Sequence, residues 1–253
     1  MVRKIIISGC NGRMGRVVES ICEADPDVSV VAGFDVSLES RAFPVFVSPA
    51  NFTGEADAVI DFSSPAALDG LLAFALERKV PLVLATTGYS DEQLAQIDEA
   101  SKRIPIFRSA NMSLGINVLL ELVKKAAAVL GDSYDIEIVE KHHNRKVDAP
   151  SGTALMIADA AASALNFKPE YVYGRHSVRQ SRAKKEIGIS AVRGGTIVGI
   201  HEIMFAGRDE IIEIKHTAMS REIFANGAVK AAKFLAGVSK PGMYDMSMLV
   251  ENN

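Results

Sequence analysis

Val2-Arg3-Lys4-Ile5-Ile6-Ile7-Ser8-Gly9-Cys10-Asn11-Gly12-Arg13-Met14-Gly15 runs from an apolar segment into three glycines, and from Arg13 onward Met14, Val17, Val18, Ile21 and Cys22 recur at helical spacing. The order is strand, glycine turn, helix. The alternation continues: Val28–Phe34 and Ala58–Phe62 read as strands, Pro65–Arg78 as a helix with Ser64 as N-cap, and Val80–Ala85 as a strand. Ser90-Asp91-Glu92-Gln93 is a capping box for a helix that ends near Ser101, and Ile104–Arg108 is the next strand. Strands alternating with helices predict an α/β fold with a parallel sheet covered on both faces.

After Asn111-Met112-Ser113 the texture changes. A long helix is predicted over Leu114–Leu130, followed by the strict alternation Asp135-Ile136-Glu137-Ile138-Val139-Glu140 of a strand. Ser151-Gly152-Thr153 opens an Ala-rich helix to about Leu165. Ile187–Arg193, Ile197–Phe205 and Glu210–Thr217 read as strands joined by glycine-containing turns, which predicts an α+β region with a mostly antiparallel sheet. A last helix from Arg221 to about Ala236, capped by Ser220, leads to a Pro241-Gly242 turn and a short tail.

The 253 residues are 48% hydrophobic and 23% charged, the balance of a soluble globular protein of one large or two modest domains. A net charge of −3 gives no positive field for nucleic acid or an anionic membrane, so the expected partners are small molecules or copies of the chain. The apolar run before Gly9 is too short for a signal-peptide core or a spanning helix, and a cytoplasmic protein is expected. Cys10 and Cys22 lack zinc spacing and read as packing residues.

Gly9, Gly12 and Gly15 lie where a dinucleotide pyrophosphate meets free backbone N–H groups and the positive end of a helix dipole. Against the G-x-G-x-x-G pattern, Gly12 and Gly15 match the last two glycines and Cys10 replaces the first. Asp35 follows the second strand twenty residues beyond Gly15, where an acidic side chain accepts bonds from the adenosine ribose hydroxyls. Taken singly, the glycines could be a tight turn and Asp35 a solvated strand end; together they make a nicotinamide dinucleotide the leading ligand. Asp35 repels a 2′-phosphate and Val36-Ser37-Leu38 offers no arginine, so NADH is favoured over NADPH, although Arg13 or Arg16 could reach a phosphate.

Glu140-Lys141-His142-His143-Asn144-Arg145-Lys146-Val147-Asp148-Ala149-Pro150-Ser151-Gly152-Thr153-Ala154 holds two of the five histidines. A hydride added to a conjugated double bond leaves an electron pair that a positioned acid must protonate, and histidine or lysine does this near neutral pH. Lysine and arginine also grip carboxylates, and Ser151-Gly152-Thr153 presents N–H groups and a hydroxyl at a helix start. The competing reading is a solvated basic loop and a plain N-cap. No metal site is expected, because His142 and His143 point to opposite sides of a strand and no further ligand completes a set.

The stretch Glu140–Ala154 resembles the signature of the dihydrodipicolinate reductases, also called 4-hydroxy-tetrahydrodipicolinate reductases. Gly9-Cys10-Asn11-Gly12-Arg13-Met14-Gly15 is similar to that family's cofactor loop, Ile60-Asp61-Phe62-Ser63 and Ala85-Thr86-Thr87-Gly88-Tyr89 to its further cofactor turns, and Ala110-Asn111-Met112-Ser113 to its hinge. The later segments Val192-Arg193-Gly194-Gly195 and Phe224-Ala225-Asn226-Gly227-Ala228 fit as well.

The resemblance implies an NAD(P)H-dependent reduction of a cyclic dicarboxylate in lysine and diaminopimelate biosynthesis. It implies His142 as general acid, Lys146 assisting it or gripping a carboxylate, His143 at the substrate, and Gly152 and Thr153, next to Ser151, holding a carboxylate. Apart from the resemblance, Arg193, His201, His216 and Arg221 could reach the substrate; a lone histidine in a strand is more often structural, and Arg221 is the one chosen. Gly9, Asn11, Gly12, Arg13, Met14, Gly15, Asp35, Phe62, Ser63, Ala85, Thr86, Thr87, Ala110, Asn111 and Met112 would contact the cofactor. It implies a Rossmann-type dinucleotide-binding domain from residues 1–113 and 222–253, a substrate-binding and oligomerisation domain from 114–221, and a homotetramer.

Three positions depart from the family: Ala85 stands where many members have glycine, Ile200 where they commonly have glutamate, and 175–180 is unlike the usual loop. Two competing readings remain at this stage. A different two-domain nicotinamide oxidoreductase would not need the His142-to-Thr153 string, and a dinucleotide sensor would need an output helix that no segment supplies.

Overall fold

The computed structural model describes residues 2–176 and 179–251; Ser177 and Val178 of the unusual 175–180 loop lie outside the described residues. The chain divides into two compact units, Met1–Leu114 with Glu222–Asn253, and Gly115–Arg221.

In the first unit, β1 (Arg3–Ser8), β2 (Val28–Phe34), β3 (Val45–Phe46), β4 (Ala58–Asp61), β5 (Leu82–Leu84), β6 (Pro105–Arg108) and β12 (Gly242–Tyr244) form one sheet in the order β12-β6-β5-β4-β1-β2-β3, every pair parallel. Both faces are covered, so the inner strands run through consecutive apolar residues, Ile5–Ile7, Ala58–Ile60 and Leu82–Leu84, rather than alternating with polar ones. Ile5 and Ile7 point to the core shared with α1 (Arg13–Ala24) and α6 (Glu222–Leu235), whereas Ile6 points to the core under α2 (Leu68–Arg78) and α3 (Asp91–Ser101). The parallel sheet with helices on both faces is the fold read from the sequence.

The helix expected from Pro65 begins as a 3-10 turn at Pro65–Ala67, and Ser64 makes no side-chain capping bond there. Ser90 and Gln93 do form the expected reciprocal capping box at the start of α3. The stretch read as a Pro241-Gly242 turn and a short tail contains two further elements: β12, which extends the sheet beyond β6, and a short helix α7 (Met246–Glu251). Leu114, the first residue of the next helix, packs against the core of the first unit.

The second unit is α+β. A sheet of β7 (Asp135–His142), β8 (Glu170–Tyr173), β9 (Glu186–Arg193), β10 (Gly199–Ala206) and β11 (Ile211–Ala218) has the order β11-β10-β7-β9-β8. The long β11-β10-β7 ladders are antiparallel, and β7-β9 and β9-β8 are parallel. Antiparallel pairing predominates, as expected, but β9 and β10 are not neighbours across their glycine turn. β7 lies between them, because its buried Ile136 and Ile138 belong at the centre of the core with Ile187, Ile189, Ile203 and Phe205. The helices α4 (Leu114–Leu130) and α5 (Gly152–Ala164) cover that face through Leu119, Val123, Ile157 and Ala161.

Two glycines of the first unit respond oppositely to a methyl group. On α6, a Cβ at Gly227 would overlap the carbonyl oxygen of Met112, a backbone atom with no room to yield. On α2, a Cβ at Gly70 would meet only Pro49, at 3.8 Å. In urea unfolding followed by circular dichroism, Gly227→Ala should lower stability by about 3 kcal/mol. Gly70→Ala should raise it by about 0.5–1 kcal/mol through helix propensity and a less flexible unfolded chain.

Candidate active site

Parallel strands bring the scattered cofactor candidates of the first unit to one edge. Gly9 follows β1, Asp35 follows β2, Phe62 and Ser63 follow β4, Ala85–Thr87 follow β5, and Ala110–Met112 follow β6. The chain runs from β1 to β2 on one side while β4 lies on the other, which opens a crevice at the reversal point. Gly9 has φ +76°, and a Cβ there would sit 2.7 Å from the Phe62 carbonyl oxygen. At Gly15 a Cβ would overlap the Gly9 carbonyl oxygen. The glycines therefore hold the loop flat against the strand ends, and Gly12, the N-cap of α1, supplies no capping side chain to the first-turn N–H groups. Arg13 is exposed and Met14 packs on the core beneath.

A cavity of about 660 Å³ lies over this edge, bordered by Gly9, Gly12, Asp35, Ser37, Phe62 and Ser63. Its size and lining fit the adenosine and pyrophosphate of a dinucleotide. One oxygen of Asp35 accepts the Asn11 N–H (2.9 Å) and the other the Ser37 N–H (2.9 Å), leaving lone pairs for a ribose. Asn11 in turn accepts from Arg41 Nε at 2.7 Å, and Arg41 also binds Glu19 at 2.9 Å. Sequence reasoning gave Arg41 no role; its partners are 22 and 30 positions away, beyond any local pattern. Arg16, by contrast, pairs with Glu39 at 2.6 Å with both side chains about half exposed.

Further along the edge, Ser63 Oγ donates to the buried Asp61 at 2.5 Å, and Tyr89 donates to the other Asp61 oxygen at 3.3 Å. Burial, followed by the Asp61 charge, pushes the Tyr89 phenol well up, so it stays a donor. The Ala85 N–H donates to the Asp61 carbonyl at 3.0 Å, with Thr86 half-buried and Thr87 exposed after it. Asn111 and Met112 are buried, Asn111 Oδ1 accepting the Ser113 N–H at 2.9 Å, while Ala110 is exposed. Cys10 and Cys22 are packing residues: burial above all pushes their thiols up to about 11 and about 12.

The second unit gathers a different set. β7 ends in Glu140 and His142, which share the buried face of the strand. His142 Nδ1 lies 2.6 Å from Glu140 Oε2, and Arg193 clamps both carboxylate oxygens at 2.8 and 2.7 Å. The Ser151 N–H donates to Glu140 Oε1 at 3.0 Å. Burial pushes the Glu140 carboxyl up, but the bonds from Arg193, His142 and Ser151 outweigh it and hold the group ionised, below the usual carboxylate range. A carboxylate on Nδ1 fixes that atom as the N–H of a neutral imidazole and leaves Nε2 to exchange a proton.

Ser151 is the N-cap of α5: its Oγ accepts the Ala154 N–H at 3.2 Å and lies 3.0 Å from His201 Nε2. Gly152 and Thr153 form the first turn, with nothing close to the Gly152 Cα on its side-chain side. The His142 and His201 rings meet edge to face, 5.1 Å between centroids. Burial, and then the charge at His142, lowers His201 to about 4, so it is neutral at physiological pH. His143 is also pushed below its ordinary value, by burial first and then by Arg221 and Arg145. That electrostatic coupling sets Arg221 in the field of His143.

Lys146 is not on His142. Its Nζ pairs with Asp148 at 2.8 Å in a partly exposed bridge. The sequence reading chose none of Arg193, His201 and Glu140 as site residues; the structure joins these three to His142 and Ser151. The available signal was spacing, since Glu140 and His142 two apart on a strand must share a face. Of the departures, Ile200 lies within β10 opposite Lys141 and Thr217, and Arg175 is tied to Glu137 and Glu186 at 2.8 Å each. Among the described residues no three His, Cys, Asp or Glu side chains could hold a metal ion, and no helix is long and apolar enough to cross a membrane.

Comparison with known proteins agrees with this arrangement. The model of the dihydrodipicolinate reductase N-terminus matches residues 3–112 and that of the C-terminus residues 115–250. A 4-hydroxy-tetrahydrodipicolinate reductase of Caldanaerobacter subterraneus subsp. tengcongensis is 57% identical over 251 residues, 99% of each chain. One of Clostridium tetani is 52% identical, covering 100% of this chain and 98% of the relative. In fold, the chain resembles the dipicolinate-bound dihydrodipicolinate reductase from Paenisporosarcina sp. TG-14, with TM-score 0.81 at 23% identity, covering 97% of this chain and 98% of that one. With both halves matched by the family models and relatives this similar along almost its whole length, the chain belongs to the dihydrodipicolinate reductase family.

Proposed function

We infer that the chain catalyses the NAD(P)H-dependent reduction of 4-hydroxy-tetrahydrodipicolinate to tetrahydrodipicolinate, a step of lysine and diaminopimelate biosynthesis. The observation that carries this reading is the intact His142-to-Thr153 string, with His142 anchored by Glu140, in a chain 57% identical to a reductase of that name.

Gly9, Asn11, Gly12, Arg13, Met14, Gly15, Asp35, Phe62, Ser63, Ala85, Thr86, Thr87, Ala110, Asn111 and Met112 would hold the dinucleotide in the first unit. When bound, the reduced nicotinamide supplies the hydride. His142 carries the proton at Nε2 and delivers it to the electron pair that the reduction leaves, since Nδ1 is committed to Glu140. Lys146 exchanges Asp148 for a substrate carboxylate, and Ser151, Gly152 and Thr153 receive the other through N–H groups and a hydroxyl. His143 and Arg221 complete the cationic surroundings of the dicarboxylate.

NADH is the favoured coenzyme, because Asp35 meets the ribose and Arg16 is engaged by Glu39. A homotetramer built on the second sheet is supported by apolar side chains left exposed there, Val192, Ile211 and Ile212. Two free cysteines suit a reducing, cytoplasmic compartment.

The direct test is the loss of reduced-nicotinamide absorbance, with substrate generated in place from pyruvate and aspartate semialdehyde by the preceding synthase, NADH and NADPH side by side. Rapid substrate-dependent loss is expected; binding of coenzyme without turnover would overturn the reading. Lys146→Ala should lower kcat/KM by about 10²–10⁴-fold with NADH affinity nearly unchanged, and wild-type turnover would remove Lys146 from the mechanism. Asp35→Ala should weaken NADH more than NADPH in fluorescence titrations; equal weakening would contradict the coenzyme assignment.

A further inference from the structure

A salt bridge that merely tied two strands would need Glu140 and Arg193 and nothing else. The contacts here are divided more finely. Oε2 of Glu140 faces His142 Nδ1 at 2.6 Å, Oε1 accepts the Ser151 N–H at 3.0 Å, and Arg193 bridges both oxygens from the far side. One oxygen thus holds the proton donor and the other holds the residue that caps α5. The carboxylate is 0% exposed, so no water competes for either bond. The β7-β9 register sets Arg193 opposite His142, and the β7-β10 register sets Glu140 opposite His201, whose Nε2 reaches Ser151 Oγ. Gly199 keeps the space beside His142 Nε2 clear, since a Cβ there would stand 3.1 Å from that atom.

We propose that Glu140 is a positioning residue for the reduction, a single buried carboxylate that fixes the proton donor His142 and the carboxylate-binding turn at Ser151 relative to each other. The proposal rests on the general-acid role of His142 argued above. Its consequence is that orientation of the acid and seating of the dicarboxylate are not independent: a change in the Glu140 side chain disturbs both. The charged and titratable groups around the pair are Arg193 from β9, His201 from β10 with His216 beyond it on β11, and His143, Arg145, Lys146 and Asp148 from the segment after β7. Among the described residues, the Glu140 carboxylate joins His142 to the backbone N–H of Ser151.

The test uses the full chain and the reduced-nicotinamide assay across pH. Activity that needs protonated His142 falls on the alkaline side, and a negative charge beside an imidazole favours its protonated form. Glu140→Gln removes the negative charge and leaves Arg193 unbalanced beside His142. The alkaline limb should therefore move down by about one pH unit or more. The kcat should fall by about 10–100-fold. The KM for the dicarboxylate should rise while that for coenzyme is unchanged. Glu140→Asp, which keeps the charge but shortens the reach, should retain the wild-type limb with reduced kcat, and it secures the test if Glu140→Gln folds poorly.

In the wild-type protein, ¹⁵N-histidine NMR should find neutral His142 protonated on Nδ1. An Nε2–H tautomer, or superimposable pH profiles for wild type and Glu140→Gln, would overturn the proposal. These outcomes are separable from the parent reading. An inactive wild type refutes the reductase assignment, whereas an active wild type with inactive His142→Gln and wild-type-like Glu140→Gln refutes only the role of Glu140.

Discussion

A parallel sheet aims the carboxyl end of every strand the same way, and the first unit depends on that constraint. Five segments separated by tens of residues become neighbours because the strands before them are neighbours, in the order β6-β5-β4-β1-β2. The reversal beside β1 prevents the loops from closing over one another, so the glycine turn, Asp35 and Ser63 border one opening. Because both faces of the sheet are buried, the edge is where polar backbone groups stay accessible. The site is thus a by-product of chain direction, refined by the few side chains that stiffen it: Asn11 linking Asp35 to Arg41, and Asp61 holding Ser63 and Tyr89.

The second unit solves a harder electrostatic problem. Burying a carboxylate is costly, and the attraction of one partner repays it only when the remaining lone pairs are also satisfied. Glu140 has four good acceptor positions and four bonds: one from His142, one from Ser151 and two from Arg193. Breaking such an arrangement by deleting one partner typically costs about 3–5 kcal/mol. His201 is kept neutral alongside, so that ring adds no positive charge to the cluster as pH falls toward 5.

Much of this was legible in the sequence, and what escaped has a common cause. The strand, glycine turn and helix at Val2–Cys22, the capping box at Ser90 and the alternation of β7 are local periodic signals, and each appears in the structure. β12 carries no period in three residues and exists only because the edge of β6 was open to it. The insertion of β7 between β9 and β10 is a matter of pairing partners, which a glycine turn between two strands suggests wrongly. At the site, the cationic string was visible as a string. The Glu140–Arg193 clamp spans 53 positions and the Ser151–His201 contact 50, beyond any spacing rule. Lys146 came forward through the family resemblance, whereas its partner Asp148 follows from the loop conformation.

The last helix has a consequence for synthesis. Ala225, Ala228, Val229, Ala232 and Leu235 of α6 fill the core beneath β1, β4 and β5, so the first unit lacks one wall until residues 222–235 have been made. Residues 115–221 come off the ribosome in between, an interval of roughly 5–20 s at about 5–20 residues per second. During that interval α1 alone covers that face, and Ile60 and Val83 lack the helix that packs over β4 and β5. The second unit is continuous in sequence and can close first. The half of the sheet that faces α6 is therefore the last part of the first unit to be covered, and it stays open until the chain returns.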